Sequence, residues 1–228
     1  MIIGISGRAG VGKSTLAEVA VEKYNFVRVS FASLLKEELI TWLHEREYDF
    51  NPEAFYGDDS EKQCMVILPE THELPSSIVT FNPIYHTHMV SYRQLMQWFG
   101  DKRKVDNPDY WLQRLMETVD FSVDIIIDDV RFVNEAALIQ ALGGIIVRIN
   151  WPARLTNSTH LSETQMDNFP TFDSVITKDD NISLLEFHDV CIDHLNLWLG
   201  RMDETNRANH ATSTFNLSSL RVTHDRLK

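Results

Sequence analysis

The chain has 228 residues, 43% of them hydrophobic, and a formal net charge of −12 at pH 7. This apolar fraction excludes an intrinsically disordered chain, and the acidic balance argues against a nucleic-acid partner. The only cysteines, Cys64 and Cys191, are far apart and indicate neither a disulfide framework nor a zinc site. No charged leader and no membrane-length apolar stretch is present, so we expect a cytoplasmic protein without a membrane partner.

Strand and helix patterns alternate along most of the chain. In chain order we predict a strand at 2–6, a helix at 14–24, a strand at 26–31, helices at 33–47, 92–100 and 108–119, a strand at 123–129, a helix at 134–144, strands at 145–150 and 174–177, and a helix at 182–199. Gly100 is interpreted as a helix stop and Asn107 as an N-cap. This order predicts an α/β fold with a parallel sheet of about five strands and helices on both faces.

The proline-rich region 48–90 interrupts this alternation. We interpret it as an insertion in which residues 65–68 and 77–81 form a peripheral hairpin. The rest of residues 1–200 is expected to form one domain, and residues 201–228 a polar tail.

Residues 7–15, GRAGVGKST, match the Walker A pattern and stand between a predicted buried strand and a helix. Glycines let backbone N–H groups close around phosphate oxygens, and the helix N-terminus adds partial positive charge. We predict that Lys13 reaches the β- and γ-phosphates and that the Ser14 hydroxyl binds magnesium, with Thr15 as the weaker candidate. The predicted phosphate loop comprises Gly7, Ala9, Gly10, Val11, Gly12, Lys13, Ser14 and Thr15.

The strand IIIDDVR, residues 125–131, ends in acidic residues and is typical of a Walker B element. Asp128 and Asp129 point in opposite directions because side chains alternate along a strand. One of them is expected to hold magnesium, directly or through water, and the other to cap the strand end. Arg131 is a candidate for binding the transferring phosphoryl group or the acceptor phosphate.

Other basic residues interrupt the acidic chain near predicted strand ends, where ligands of open α/β sheets bind. They are Lys36, Arg93, Arg148 and Arg154, of which Arg148 lies inside a strand and is interpreted as a structural ion pair. The sequence TKDD, residues 177–180, is similar to the guanine-reading motif of GTPases, but the Asp-x-x-Gly switch motif is absent. We therefore interpret it as a loop on the base side, with Lys178 as the contact, and leave its base preference open.

Five stretches in order resemble the deoxynucleoside monophosphate kinases of large tailed phages, a branch of the P-loop kinases. These are the Walker A loop, VSFASLLKEEL, YRQLMQWFGDKRKVDNPDYW, DDVRFVNEAALIQALGGIIVRI, and STHLSE with FDSVITKDDNISLLE. They span residues 1–190, with the weakest match over 48–90. The blocks RxLMQxxG…YW and DxRxxxE are more specific than Walker A, which many unrelated proteins share.

The resemblance implies a three-layer P-loop kinase fold that uses ATP and Mg²⁺. It implies a catalytic set of Lys13, Asp129 and Arg131, with Ser14 and Asp129 serving the metal. A lid over about 150–165 is expected to close over the reaction and exclude water. Residues implied on the substrate side and in the lid are Ala32, Lys36, Arg93, Gln97, Trp98, Arg131, Arg154, His160 and Glu163.

The expected reaction is phosphoryl transfer from ATP to a deoxynucleoside monophosphate, which supplies DNA precursors. Two alternatives stay open: another small-molecule kinase, because SE…DNF…FDSVI is also similar to animal phosphomevalonate kinases, and a nucleotide-hydrolysing switch protein, which the missing switch glycine disfavours. The resemblance, and not the helix pattern, suggests a homodimer, in the host cytoplasm if the source is viral. The accepted bases, the sugar and the choice of ATP or GTP are left open.

Overall fold

The computed structural model describes residues 1–57, 59–69, 71, 73–152 and 165–200. The chain forms two compact units, which we call unit 1 (Met1–Arg28 with Phe121–Lys228) and unit 2 (Val29–Asp120). In chain order the elements are β1 (Ile2–Ser6), α1 (Lys13–Tyr24), β2 (Val27–Val29), α2 (Phe31–His44), α3 (Asp59–Gln63), β3 (Met65–Pro69), β4 (Thr80–Asn82), β5 (Thr87–Ser91), α4 (Tyr92–Asp106), α5 (Tyr110–Thr118), β6 (Ile125–Ile127), α6 (Val133–Ala141), β7 (Ile145–Asn150), β8 (Ser174–Thr177) and α7 (184–200).

A five-stranded sheet with the order β2-β6-β1-β7-β8 forms the centre of unit 1. Ile3 of β1 lies opposite Ile126 of β6 and Ile145 of β7, and both pairings are parallel, as is that of β7 with β8. The central strands are apolar and almost fully buried, because a parallel sheet is covered on both faces. The predicted parallel sheet of five strands is therefore confirmed.

Helices cover both faces of this sheet. On one face α1 and α7 form the core with the odd-numbered residues of β1 and β7; its buried members from the helices include Leu16, Ala17, Val19, Ala20, Phe187, Cys191, Leu195 and Trp198. On the other face α6 approaches so closely that a Cβ at Gly4 would lie 2.8 Å from the Cδ1 atom of Ile139. Cys191 is buried in the first of these layers, whereas Cys64 of unit 2 is exposed. Within the described residues, no helix is long and apolar enough to cross a membrane.

Unit 2 combines helices with a small antiparallel sheet of order β3-β5-β4. The predicted hairpin between residues 65–68 and 77–81 is wrong in its pairing. Both β3 and β4 pair with β5, at Ile67 opposite Met89 and Thr80 opposite Met89. The sequence of β5, THMVS, carries too little apolar alternation to be identified as a strand beforehand.

Two predicted helix boundaries in unit 2 are also wrong. Helix α4 continues past Gly100 to Asp106, because Gly100 serves close packing: a Cβ there would lie 2.7 Å from the Cδ1 atom of Leu35 on α2. Helix α5 begins at Tyr110 rather than Pro108. The Asn107 side chain accepts the Asp109 N–H at 3.2 Å, which forms a turn before the helix instead of capping it.

Glu38 joins α2 to both α4 and α5. Its carboxylate accepts the Tyr110 hydroxyl at 2.7 and 2.8 Å and pairs with Arg103 at 2.6 Å and with Arg114 at 3.7 Å. Burial and the bond to Glu38 raise the pKa of Tyr110, so its hydroxyl stays a donor at neutral pH. With a side chain only 16% exposed, Glu38 is expected to contribute more to stability than a surface carboxylate.

We predict that Glu38→Ala lowers the free energy of unfolding by about 1–3 kcal/mol, because it removes the shared partner of a tyrosine and two arginines. Glu117→Ala is the matched control, since Glu117 is 63% exposed and makes an i,i+3 pair with Arg114. Its loss is expected to stay below about 0.5 kcal/mol. Denaturant unfolding of both variants measures the difference, and equal losses would show that Glu38 does not hold the helices together.

Candidate active site

The Walker A loop connects β1 to α1, as predicted, and its glycines meet specific steric demands. Gly10 and Gly12 have φ values of 74° and 109°, in the left-handed region that glycine adopts at little cost. A Cβ at Gly12 would lie 2.5 Å from the ring of Phe187 on α7. A Cβ at Gly7 would lie 2.7 Å from the backbone oxygen of Ile149. The loop is therefore packed against α7 and the end of β7 without room for side chains at these positions.

The N-terminus of α1 is suited to an anion. Among the described residues no side chain caps it, whereas Ser30 and Ser91 cap α2 and α4. Uncapped first-turn amides carry the positive end of the helix dipole. The Lys13 ammonium donates to the backbone oxygens of Gly7 at 2.7 Å and Arg8 at 2.8 Å, so it lies across the loop. Amides and ammonium together form a donor set that fits phosphate oxygens.

The two carboxylates after β6 have different surroundings. Asp128 accepts from Nε of Arg28 on β2 at 2.9 Å and forms an ion pair with the same guanidinium. It is thereby committed to a salt bridge between neighbouring strands. Asp129, the next residue, is also buried, at 9% exposure. Asp128 is engaged by Arg28, and the assignment of magnesium to Asp129 stays a prediction from the resemblance.

The chemistry of the remaining donors fits magnesium. The ion prefers carboxylate, hydroxyl and phosphate oxygens and needs only one or two protein ligands when a nucleotide supplies the rest. Asp129 offers the carboxylate, and the side chain of Ser14 is exposed in the first turn of α1. Thr15 is half-buried, in agreement with its weaker candidacy.

The turn that carries Asp129 and Arg131 is fixed by hydrogen bonds. The Val130 N–H donates to the Ile5 backbone oxygen at 3.0 Å, which extends the pairing of β6 with β1 towards the phosphate loop. Oε2 of Glu135 accepts the N–H groups of Arg131 at 2.8 Å and of Phe132 at 3.0 Å. The turn is thus held from both sides, and Glu135, the last letter of the DxRxxxE block, has a structural role that the sequence did not assign.

A network of ion pairs lies beside the phosphate loop. Asp167 accepts from Arg8 at 2.5 Å and from Arg148 at 2.6 Å, and Arg148 also donates to the Ser6 hydroxyl at 3.1 Å. The interpretation of Arg148 as a structural ion pair is confirmed. Asp167 was not identified from the sequence, because its partner Arg8 is 159 positions away and no motif connects them.

A cavity of ≈ 530 Å³ opens next to this network. Arg8 and Val11 of the phosphate loop line it together with Asn150 and Trp151 at the end of β7. Its volume lies within the range of about 300–1,000 Å³ that is usual for sites of small organic ligands. The position agrees with the rule that open α/β sheets bind ligands at the carboxyl ends of their strands.

Lys178 of the TKDD sequence packs between aromatic rings. Its ammonium lies 4.1 Å from the ring centroid of Trp151 and 4.5 Å from that of Phe187, an arrangement stabilised by cation–π attraction. The Trp151 indole N–H donates to Asp180 at 3.0 Å. Since Phe187 also contacts Gly12, this stack supports the phosphate loop from behind. The contact of Lys178 with a base stays a prediction.

The acceptor-side residues predicted from the resemblance lie in unit 2. Ala32 and Lys36 are one turn apart on α2, and Arg93 and Gln97 are one turn apart on α4, so each pair shares a helix face. The Lys36 ammonium lies 4.7 Å from the ring centroid of Tyr56. Each of these two pairs thus contains one long basic side chain.

Trp98 packs in an aromatic cluster of unit 2. Its ring centroid lies 5.5 Å from that of Trp42, and the Lys102 ammonium lies 4.8 Å from the Trp98 ring. Its contact with substrate stays a prediction. Arg154, His160 and Glu163, together with most of the predicted lid, lie outside the described residues.

The sequence model of the family named "Deoxynucleotide monophosphate kinase" matches residues 53–188, more than half of the chain. The chain belongs to the deoxynucleotide monophosphate kinase family. It is therefore a P-loop kinase, a phosphotransferase that uses a nucleotide donor. The matched range contains the DDVR turn and Glu135 but begins after the Walker A loop, so the loop is separate evidence for the same chemistry.

Two known proteins are similar over most of the chain. A protein of Acanthamoeba polyphaga mimivirus described as "Putative deoxynucleotide monophosphate kinase" is 27% identical over 204 residues, covering 85% of this chain and 97% of that protein. The structure of dephospho-CoA kinase from Campylobacter jejuni aligns with a TM-score of 0.49 and 13% identity, covering 86% of this chain and 95% of that chain.

Asp128 pairs with Arg28, and Asp129 is the residue that the resemblance implies for magnesium, so we predict different effects of removing each charge. Asp129→Asn should lower kcat by about two orders of magnitude and raise the magnesium concentration needed for half-maximal rate. Asp128→Asn should instead lower the free energy of unfolding by about 1–2 kcal/mol, because it weakens a partly buried ion pair with Arg28. Magnesium titrations and denaturant unfolding of both variants check this assignment. The opposite pattern would make Asp128 the metal ligand.

Proposed function

We propose that this protein transfers the γ-phosphoryl group of ATP to the 5′-phosphate of a deoxynucleoside monophosphate, giving the diphosphate used for DNA synthesis. The proposal is carried by two observations on different parts of the chain, one on the phosphate loop and one on the family match. The glycine geometry of residues 7–15 supports a donor site, and the family match over 53–188 covers the acceptor-side positions Arg93 and Gln97 and the DDVR turn.

On the donor side, Lys13 and the amides of α1 would hold and neutralise the β- and γ-phosphates. Ser14 and Asp129 are the residues that would hold magnesium, which when bound supplies further positive charge to the phosphate oxygens. Arg131 would stabilise the charge on the phosphoryl group as it passes to the acceptor. The reaction needs little covalent chemistry from the protein, so alignment and charge neutralisation account for most of the catalysis.

On the acceptor side, Lys36 and Arg93 would bind the phosphate of the monophosphate, and Gln97 would offer an amide to the nucleoside. A guanidinium and an ammonium suit this task because a nucleoside monophosphate carries a compact double negative charge. A chain with net charge −12 gains affinity for such an anion only where basic side chains are concentrated. These positions support a phosphate as the acceptor group in preference to an alcohol.

The proposal is tested by measuring ADP release with a panel of acceptors: the deoxynucleoside monophosphates, the ribonucleoside monophosphates and phosphomevalonate. We expect ADP release in step with formation of a deoxynucleoside diphosphate, identified by chromatography. ADP release only with phosphomevalonate would assign a different acceptor, and release without any acceptor would indicate a hydrolytic switch.

Two variants on α1 show whether the phosphate loop performs the reaction. Lys13→Ala should abolish transfer while leaving the thermal unfolding curve in place, because it removes the cation that holds the phosphates. Lys23→Ala is the control, since Lys23 is exposed in the last turn of the same helix. Near-normal turnover by Lys13→Ala would show that the phosphate loop does not take part in phosphoryl transfer.

We predict that removal of the Arg131 guanidinium lowers the turnover number more than the affinity for ATP. Arg131→Ala should lower kcat by about two orders of magnitude and change KM for ATP much less, since its charge is needed mainly in the transition state. Arg131→Lys should recover part of the rate, because an ammonium supplies the charge without the bidentate fork. Steady-state kinetics with varied ATP measures both constants. A change confined to KM would place Arg131 in ground-state binding.

A further inference from the structure

The Glu135 carboxylate lies in the first turn of α6 and is only 5% exposed. One of its oxygens, Oε2, accepts two consecutive backbone N–H groups, those of Arg131 and Phe132. Hydrogen bonds to an ionised acceptor are roughly twice as strong as neutral ones. The backbone of the residue that carries the candidate catalytic guanidinium is therefore held by a buried charge.

Hydrogen bonds at several points hold the turn between β6 and α6. Asp128 binds Arg28 on β2, which fixes the start of the turn. Val130 donates to the Ile5 oxygen and fixes its middle. The bond to Glu135 acts on the backbone of Arg131 itself.

A carboxylate at this position has an electrostatic cost. It adds negative charge to a site that is proposed to bind polyphosphate, and such charge repels the ligand. An apolar residue at this position would pack in the helix without the cost of burying a charge. The positive end of the α6 dipole and the two amides compensate the buried charge. The feature that distinguishes this side chain from an apolar one is its acceptor oxygen, which binds the two backbone N–H groups.

We propose that Glu135 is a positioning residue that sets the backbone of Arg131 so that its guanidinium meets the transferring phosphoryl group. This role rests on the proposed function and extends it to a residue that need not touch either substrate. Placement matters because a displacement of about 1 Å can cost about a hundredfold in rate. Glu135 acts through Arg131, so its contribution disappears when the guanidinium is absent.

The test compares Glu135→Ala, Glu135→Gln, Arg131→Ala and the double variant Glu135→Ala with Arg131→Ala. Glu135→Ala should lower kcat about tenfold or more, with KM for ATP changed by less than about threefold. Glu135→Gln should retain more activity, since a carboxamide oxygen can still accept both N–H groups without the charge. In the Arg131→Ala background, adding Glu135→Ala should change kcat less than about twofold.

Glu186→Ala is the matched control. Glu186 occupies the same capping position on α7, where its carboxylate accepts the Ser183 N–H at 2.8 Å. Its removal should leave kcat unchanged. If Glu186→Ala lowers kcat as much as Glu135→Ala, or if Glu135→Ala has its full effect in the absence of the Arg131 guanidinium, the effect is one of helix stability and the proposal is overturned.

Backbone amide exchange gives a readout that does not depend on the substrate. Glu135→Ala should speed amide exchange at Arg131 and Phe132. Unchanged exchange would show that Glu135 does not hold these two backbone groups and would overturn the proposal. The kinetic ratios are measured with whichever acceptor the panel identifies. Lack of turnover with deoxynucleotides then counts against the proposed function alone, and the exchange rates and kinetic ratios still decide the role of Glu135.

Discussion

The hydrogen bond from the Val130 N–H to the Ile5 oxygen joins the strand before the phosphate loop to the turn that carries the candidate residues Asp129 and Arg131. Ile5 is the last residue but one of β1, directly before the phosphate loop, and Val130 stands between Asp129 and Arg131. Parallel strands end at the same edge of a sheet, so this one bond brings the metal-binding candidate and the candidate arginine to the loop. The burial of β1 and β6 on both faces keeps the register between them fixed.

An acidic protein that binds polyphosphate has to keep its own carboxylates from repelling the ligand. Four carboxylates of unit 1 are engaged by donors: Asp128 by Arg28, Asp167 by Arg8 and Arg148, Asp180 by Trp151, and Glu135 by backbone amides. Each of these ion pairs or hydrogen bonds compensates part of the negative charge and holds an element of the candidate site in place. The same side chains therefore lower repulsion and provide rigidity.

Features with a local signal were predictable from the sequence. The Walker A loop is read from nine consecutive residues, and the bounds of β7 and β8 agree with the prediction because their apolar runs are flanked by turn residues. Features that depend on residues distant in sequence were not predictable. Asp128 and Asp129 are adjacent acids, and the pairing of Asp128 with Arg28, 100 positions away, has no signal in the sequence. Gly100 carries the signal of a helix stop, and only the position of Leu35 shows that it serves packing.

The two cysteines differ in a way that is useful for spectroscopy. Cys64 is exposed in unit 2, while Cys191 is buried in unit 1, where desolvation raises the pKa of its thiol to about 12. Only a thiolate reacts readily with maleimides, so at neutral pH Cys191 is protected by both access and protonation. A fluorophore or spin label will therefore attach at one defined place in unit 2 of the natural sequence. Substrate-dependent signals from that label would report on unit 2 without any engineered cysteine.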